Sequence, residues 1–88
     1  MTAENEKKGA KPAKKPPVRF KTGEDIRATR LKRRLKQGEF WSRINVTQSG
    51  GSRYESGRDI PRPVQLLLQL AYGTDKQADD LLAWLRKK

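Results

Sequence analysis

Residues 46–61, VTQSGGSRYESGRDIP, constrain the fold more than any other stretch, because they look like a loop where a loop does not fit. They hold four Gly or Pro and four Ser or Thr, with Val46, Tyr54 and Ile60 as the only sizeable apolar side chains. Composition alone marks such a segment as turn or linker. The segments on either side, however, carry helical periodicity and short connections. Eighty-eight residues make one small domain with a modest core, and a long structureless loop inside it would be unusual.

Upstream, order is expected to begin near Thr22, where TGED sets Thr22 three residues ahead of Asp25 in a capping-box-like start. Ile26, Ala28, Leu31 and Leu35 then recur at near-helical spacing, which predicts a first helix over about residues 24–35. After a break near LKQG, EFWSRI is a short amphipathic piece with Phe40, Trp41 and Ile44 placed to bury one face. Downstream, RPVQLLLQLAYG puts Pro63 at a first helical position and Gly73 just past the end. Val64, Leu67, Leu68 and Ala71 form a stripe that Leu66 and Leu70 widen, so this helix is expected to be nearly all buried. Thr74 against Gln77 opens a last helix with Ala78, Leu81, Leu82 and Leu85 on one side, and Trp84 lies off that stripe. Arg86, Lys87 and Lys88 favour its negative dipole end.

Between these helices the central stretch reads as a helix of its own. Asn45 suits the left-handed conformation of a sharp turn, Val46 follows as a buried plug, and Thr47 is a good N-cap. Tyr54 then faces inward and Gly57 ends the helix, which is expected at about residues 48–56. Gly50 and Gly51 together disfavour it by roughly 2 kcal/mol, which packing of Tyr54, Val46 and Trp41 must offset. The fold class is therefore all-α: a compact bundle of about five short helices containing a helix-turn-helix. Residues 22–88 form the domain, and residues 1–21, rich in Lys and Pro, form a disordered basic tail, with Val18-Arg19-Phe20 able to dock transiently on the domain.

From Gln37, which opens the second helix, through Thr47-Gln48-Ser49, Tyr54-Glu55-Ser56-Gly57 and Pro61, the chain resembles the phage-repressor or Cro-type (XRE-like) helix-turn-helix family. The resemblance covers about residues 24–73 and includes Arg30, which stands where family members pair an Arg with the Glu. It departs in placing Trp41 where the family has Ala, and Gly51 where it has Ile or Val; the two exchanges compensate in volume. Asn45 replaces the usual turn Gly, and Lys36 and Gly38 replace better helix-starting residues, so a late or frayed start to the second helix is expected. The resemblance implies a recognition helix in the major groove, with Gln37 bridging Gln48 and a phosphate.

In such a helix Gln48 suits adenine and Arg53 suits guanine O6 and N7, with Ser49 and Ser52 as short adaptable base contacts. Arg43, Thr47, Ser56, Arg58 and Arg62, together with Gln37, are placed for backbone contacts that set register. Arg30 and Glu55 read as a structural ion pair.

Charge points the same way. The net charge is +11, with seven Lys/Arg against two Glu in residues 1–22 and fourteen against eight acids in residues 23–88. Two separate basic segments favour a polyanion, double-stranded DNA in the first place. With no cysteine and no histidine, neither a disulfide framework nor an ordinary metal site is available, and no cofactor or enzymatic activity is expected. No stacking-aromatic RNA module stands out, and the longest apolar run, Leu66–Leu68, is far short of a membrane span. The expectation is a small cytoplasmic transcriptional regulator, a repressor by preference, nucleoid-associated when on DNA. The alternative is an interaction module, such as an antitoxin or co-regulator holding a protein through its C-terminal helix. Whether the chain acts as a homodimer is left open.

Overall fold

The protein is described by a computed structural model over residues 16–87. Among the described residues five helices follow one another: α1 (Gly23–Lys32), α2 (Gln37–Ser42), α3 (Gln48–Glu55), α4 (Arg62–Tyr72) and α5 (Asp75–Lys87). No strand occurs among the described residues, so the architecture is all-α as expected. No helix among them is long and apolar enough to cross a membrane.

The helix starts are set by side chains close in sequence. Thr22 Oγ1 accepts the Asp25 N–H at 3.1 Å, and Thr47 Oγ1 accepts the Gly50 N–H at 3.1 Å. Before α5, the Thr74 hydroxyl and the Gln77 amide cap each other's backbone N–H at 3.1 and 3.0 Å. The second helix starts neither late nor frayed. Glu39 reaches back to accept the Lys36 N–H at 2.9 Å, which secures α2 from Gln37 onward.

The ends of α1, α2 and α3 share one device. Arg34, Asn45 and Gly57 have φ of 58°, 64° and 116°. In each case the left-handed residue donates its N–H three residues back and the next residue donates five residues back. The pairs are Arg34 to Leu31 with Leu35 to Arg30, Asn45 to Ser42 with Val46 to Trp41, and Gly57 to Tyr54 with Arg58 to Arg53. Asn45 and Gly57 suit this conformation, whereas Arg34 adopts it at a steric cost of about 1–2 kcal/mol. That reversal stops α1 at Lys32, short of the expected residue 35.

The core gathers Phe20, Ile26, Phe40, Trp41, Ile44, Ile60, Leu68 and Tyr72. Phe40 stacks on Tyr72 with centroids 4.1 Å apart, and Trp41 meets Phe40 edge-on at 5.4 Å and Tyr54 at 5.5 Å. The Tyr72 hydroxyl donates to the Phe40 carbonyl at 2.6 Å. Burial pushes the Tyr72 phenol above its ordinary pKa, against the opposing pull of the Arg43 and Arg33 guanidinium groups.

Several expectations about burial and helix position need correction. On α1 only Ile26 among the apolar residues is buried; Ala28 and Leu31 are exposed because Arg30 takes the inward direction, and Leu35 packs on the core from beyond the helix end. Helix α4 is not buried all round: its buried residues are Leu68, Gln69 and Tyr72, while Leu67 is exposed. Gln69 is covered by the segment expected to be tail. Val18 and Phe20 are buried, and the Gln69 amide fixes the backbone between them, donating to Pro17 O at 3.1 Å and accepting from Arg19 N–H at 2.8 Å. The packed unit therefore reaches back past Thr22; the rest of the expected tail, residues 1–15, lies outside the described residues. Third, Pro63 is the second residue of α4, after Arg62. Fourth, α5 buries Leu81 but leaves Leu82 and Leu85 in the open. Val46 and Tyr54 are half-buried rather than enclosed.

Trp41 and Gly51 meet where α2 crosses α3. Trp41 is fully buried, and a Cβ at position 51 would overlap its indole ring. Two effects therefore oppose one another in Gly51→Ala: about 1 kcal/mol of helix propensity gained, and about 1–3 kcal/mol lost to overpacking. Steric overlap with a rigid ring wins, and urea unfolding is expected to show net destabilisation. Combining Gly51→Ala with Trp41→Leu should cost less than the sum of the two single changes by more than about 0.5 kcal/mol; strict additivity would show that the two positions do not interlock.

Candidate nucleic-acid interface

Helix α3 is held from behind by its own last residue. The Glu55 carboxylate accepts Arg30 Nε and Nη2, both at 2.9 Å, and the Trp41 indole N–H at 2.8 Å. Arg30 uses its remaining Nη1 on the Leu35 carbonyl at 3.1 Å, which ties in the α1–α2 connection. The side chains of the pair are only 13% and 5% exposed, so the charges are largely removed from water. Burial by itself raises the Glu55 carboxyl, yet hydrogen bonds from Arg30, Trp41 and Gln37, with the Arg30 charge, outweigh it and hold the pKa below its ordinary value. Arg30 and Glu55 thus form a bidentate ion pair, and the Trp41 indole is a third participant that sequence reasoning missed. The available signal was general: a buried indole N–H needs an acceptor, and Glu55 lies one helical turn beyond Gly51.

The opposite side of α3 is open. Gln48, Ser49, Arg53 and Ser56 are exposed, Ser52 is half-buried between them, and Gly51 faces the core. Their spacing along the chain puts Gln48, Ser49, Ser52, Arg53 and Ser56 along one face of the helix. Gly38 at the start of α2 lies against Gln48, with the Gln48 side chain 3.8 Å from where a Cβ would stand. Gln37 beside it is half-buried and its amide serves Glu55. The Thr47 hydroxyl oxygen is engaged as N-cap, which leaves its O–H free to donate outward. Arg58 and Arg62 are exposed on the segment that leaves α3 and enters α4. Arg43 is not gathered with them: its guanidinium lies over the Tyr72 ring, 5.3 Å from the centroid.

Because the folded Glu55 carboxyl titrates below its unfolded value of about 4.3, its contribution is fully present above that pH and is lost as pH falls through the lower folded value. Glu55→Gln, which leaves Arg30 unmatched, is expected to lower stability by about 3 kcal/mol at pH 7. In paired thermal melts the gap between the two proteins should narrow below about pH 4. A gap that stays constant down to pH 2 would show that the carboxylate charge is not what holds the helices.

Comparison with curated proteins and with solved structures finds no match. The family model for the RsaL-like HTH domain matches residues 27–71, from the first helix through α3 to the end of α4. That span contains Arg30, Trp41, Glu55 and the open face of α3, so it takes in the helix-turn-helix and the contacts that orient it. The chain belongs to the RsaL-like helix-turn-helix domain family, and it carries a DNA-binding fold of transcription regulation.

Proposed function

We propose that this protein binds double-stranded DNA sequence-specifically, docking α3 in the major groove in the manner of phage-repressor domains, and represses transcription by occupying its site. Gln48 and Arg53 read base edges, Gln48 by paired donor and acceptor on adenine and Arg53 by a fork onto guanine. Ser49 and Ser52 supply short contacts beside them. Thr47, Ser56, Arg58 and Arg62 take phosphates, and Gln37 and Arg43 complete the set by reaching out from the Glu55 and Tyr72 contacts that hold them in the free protein. The observation that supports this most directly is the open face of α3, which carries Gln48, Ser49 and Arg53 and no acid, on a helix clamped from behind through Glu55. The net charge of +11 adds a sequence-independent attraction to the duplex. Such a protein works in the cytoplasm, on the nucleoid. A second reading, in which α5 holds a protein partner as in an antitoxin or co-regulator, draws on the exposed Leu82 and Leu85.

Selection from a random duplex library is expected to enrich a defined sequence. On that sequence Arg53→Ala should cost roughly 1–3 kcal/mol and relax the preference at one base pair. Arg58→Ala should weaken all sequences alike and reduce the salt slope by about 0.9. Equal losses for Arg53→Ala on selected and random duplex would remove base reading from α3.

A further inference from the structure

Of the three left-handed stops, two are filled by residues that suit that conformation, Asn45 and Gly57. The third, at φ 58°, is filled by Arg34, whose side chain is sterically penalised there. The dipole of α1 accounts for Lys32 and Arg33 at its negative end. It does not call for a side chain at the one place where a bare glycine would fold more easily. A strained residue kept in such a place points to use of its side chain.

From Ile26 to Gly38 the chain has six Lys or Arg and no acid. Two of the six are occupied within the domain: Arg30 by Glu55 and the Leu35 carbonyl, and Arg33 by the Tyr72 carbonyl at 3.1 Å. Arg34 and Lys36 are exposed, and neither side chain has a hydrogen bond or ion pair among the described residues. Leu35 between them packs on the core, which leaves its two neighbours in the open. The next acid along the chain, Glu39, has its carboxylate engaged by the Lys36 N–H. This connection is also tied to α3. Arg30 holds the Leu35 carbonyl with one nitrogen and Glu55 with the others. Gly38, two residues beyond Lys36, lies against the side chain of Gln48, the first residue of α3.

We propose that Arg34 and Lys36 form a phosphate-binding ridge on the α1–α2 connection, gripping the strand that borders the groove entered by α3. Arg34 offers a planar fork of donors and Lys36 a compact charge, and neither reads a base. The proposal rests on the reading of α3 as a DNA-docking helix and adds two residues to its contacts. It also explains why an arginine is retained where the backbone favours glycine.

Duplex titrations over a range of salt concentrations, run beside urea unfolding, test this on the full chain. Arg34→Gly should raise the unfolding midpoint, because the left-handed position is relieved. The same variant should weaken selected and random duplex by one common factor of several-fold, and flatten the salt slope by about 0.9. Opposite movement of stability and binding separates a lost contact from a damaged fold. Arg34→Lys should keep the wild-type slope, and Lys36→Ala should flatten it as Arg34→Gly does. An Arg34→Gly protein with wild-type affinity and slope overturns the ridge, as does a lowered unfolding midpoint, which would show that the arginine serves the fold. If the wild-type chain binds duplex and Arg53→Ala impairs it, such a result leaves the α3 reading standing. A wild-type chain that binds no duplex removes both.

Discussion

Glu55 is an acid that burial would drive toward its neutral form, and it stays charged because two helices donate to it. The geometry of the helix-turn-helix follows from that requirement. Arg30 has to come from α1 with its guanidinium plane matched to the carboxylate, and Trp41 has to come from α2 with its indole N–H aimed at the same group. Apolar contacts tolerate sliding, whereas a bidentate pair does not. In a chain without cysteine, and with a core of this size, the directional contact is what fixes α3 against α1 and α2. A buried pair of this kind adds little net stability over an apolar replacement, but losing one partner strands the other charge. Its value lies in the orientation that it enforces.

The same economy governs the rest of the fold. Short helices are marginal alone, and here their ends are secured by local groups: Thr22, Thr47 and Thr74 at the starts, left-handed Arg34, Asn45 and Gly57 at the stops. What remains for packing is to close α2 onto α3, which the indole of Trp41 does against the bare backbone of Gly51. The glycine that weakens α3 as an isolated helix is the residue that lets it approach its partner. Local preference and tertiary contact conflict at that position, and the contact prevails.

Much of this was legible in the sequence because it depends on neighbours in the chain. The three threonine caps, the turn at Asn45, the stop at Gly57 and the exchange of bulk between Trp41 and Gly51 are all short-range or pairwise patterns. The position of α3 and its polar open face followed from them. What escaped depends on distant segments. The role of Gln69 depends on the backbone of residues 17–19, which lies across it and uses both ends of its amide. Tyr72 gains its place from Phe40, thirty-two positions earlier, through a stacked ring and a hydroxyl bond. Arg34 carries no local signal for a left-handed turn. Within the site, Gln37 was legible as the residue opening α2 but not as a donor to Glu55, since that needs the angle between two helices.

The acids complete the account of why a protein with this charge shows a clean polar face on α3. Glu24 and Asp25 lie in the first turn of α1, Glu39 closes the start of α2, and Asp75 begins α5, all near positive helix ends. Glu55 is consumed by Arg30 and Trp41, and Asp79 and Asp80 sit on α5, whose contacts are with α4. The acids at the helix starts and Glu55 are thus placed where helix dipoles or a buried cation use them, Asp59 stands exposed just beyond Arg58, and the open side of α3 carries none. A duplex approaching that side meets Gln48, Arg53 and Arg58 without a compensating negative charge on the helix. The positive charge on that side of α3 is therefore not opposed by an acid of the same helix.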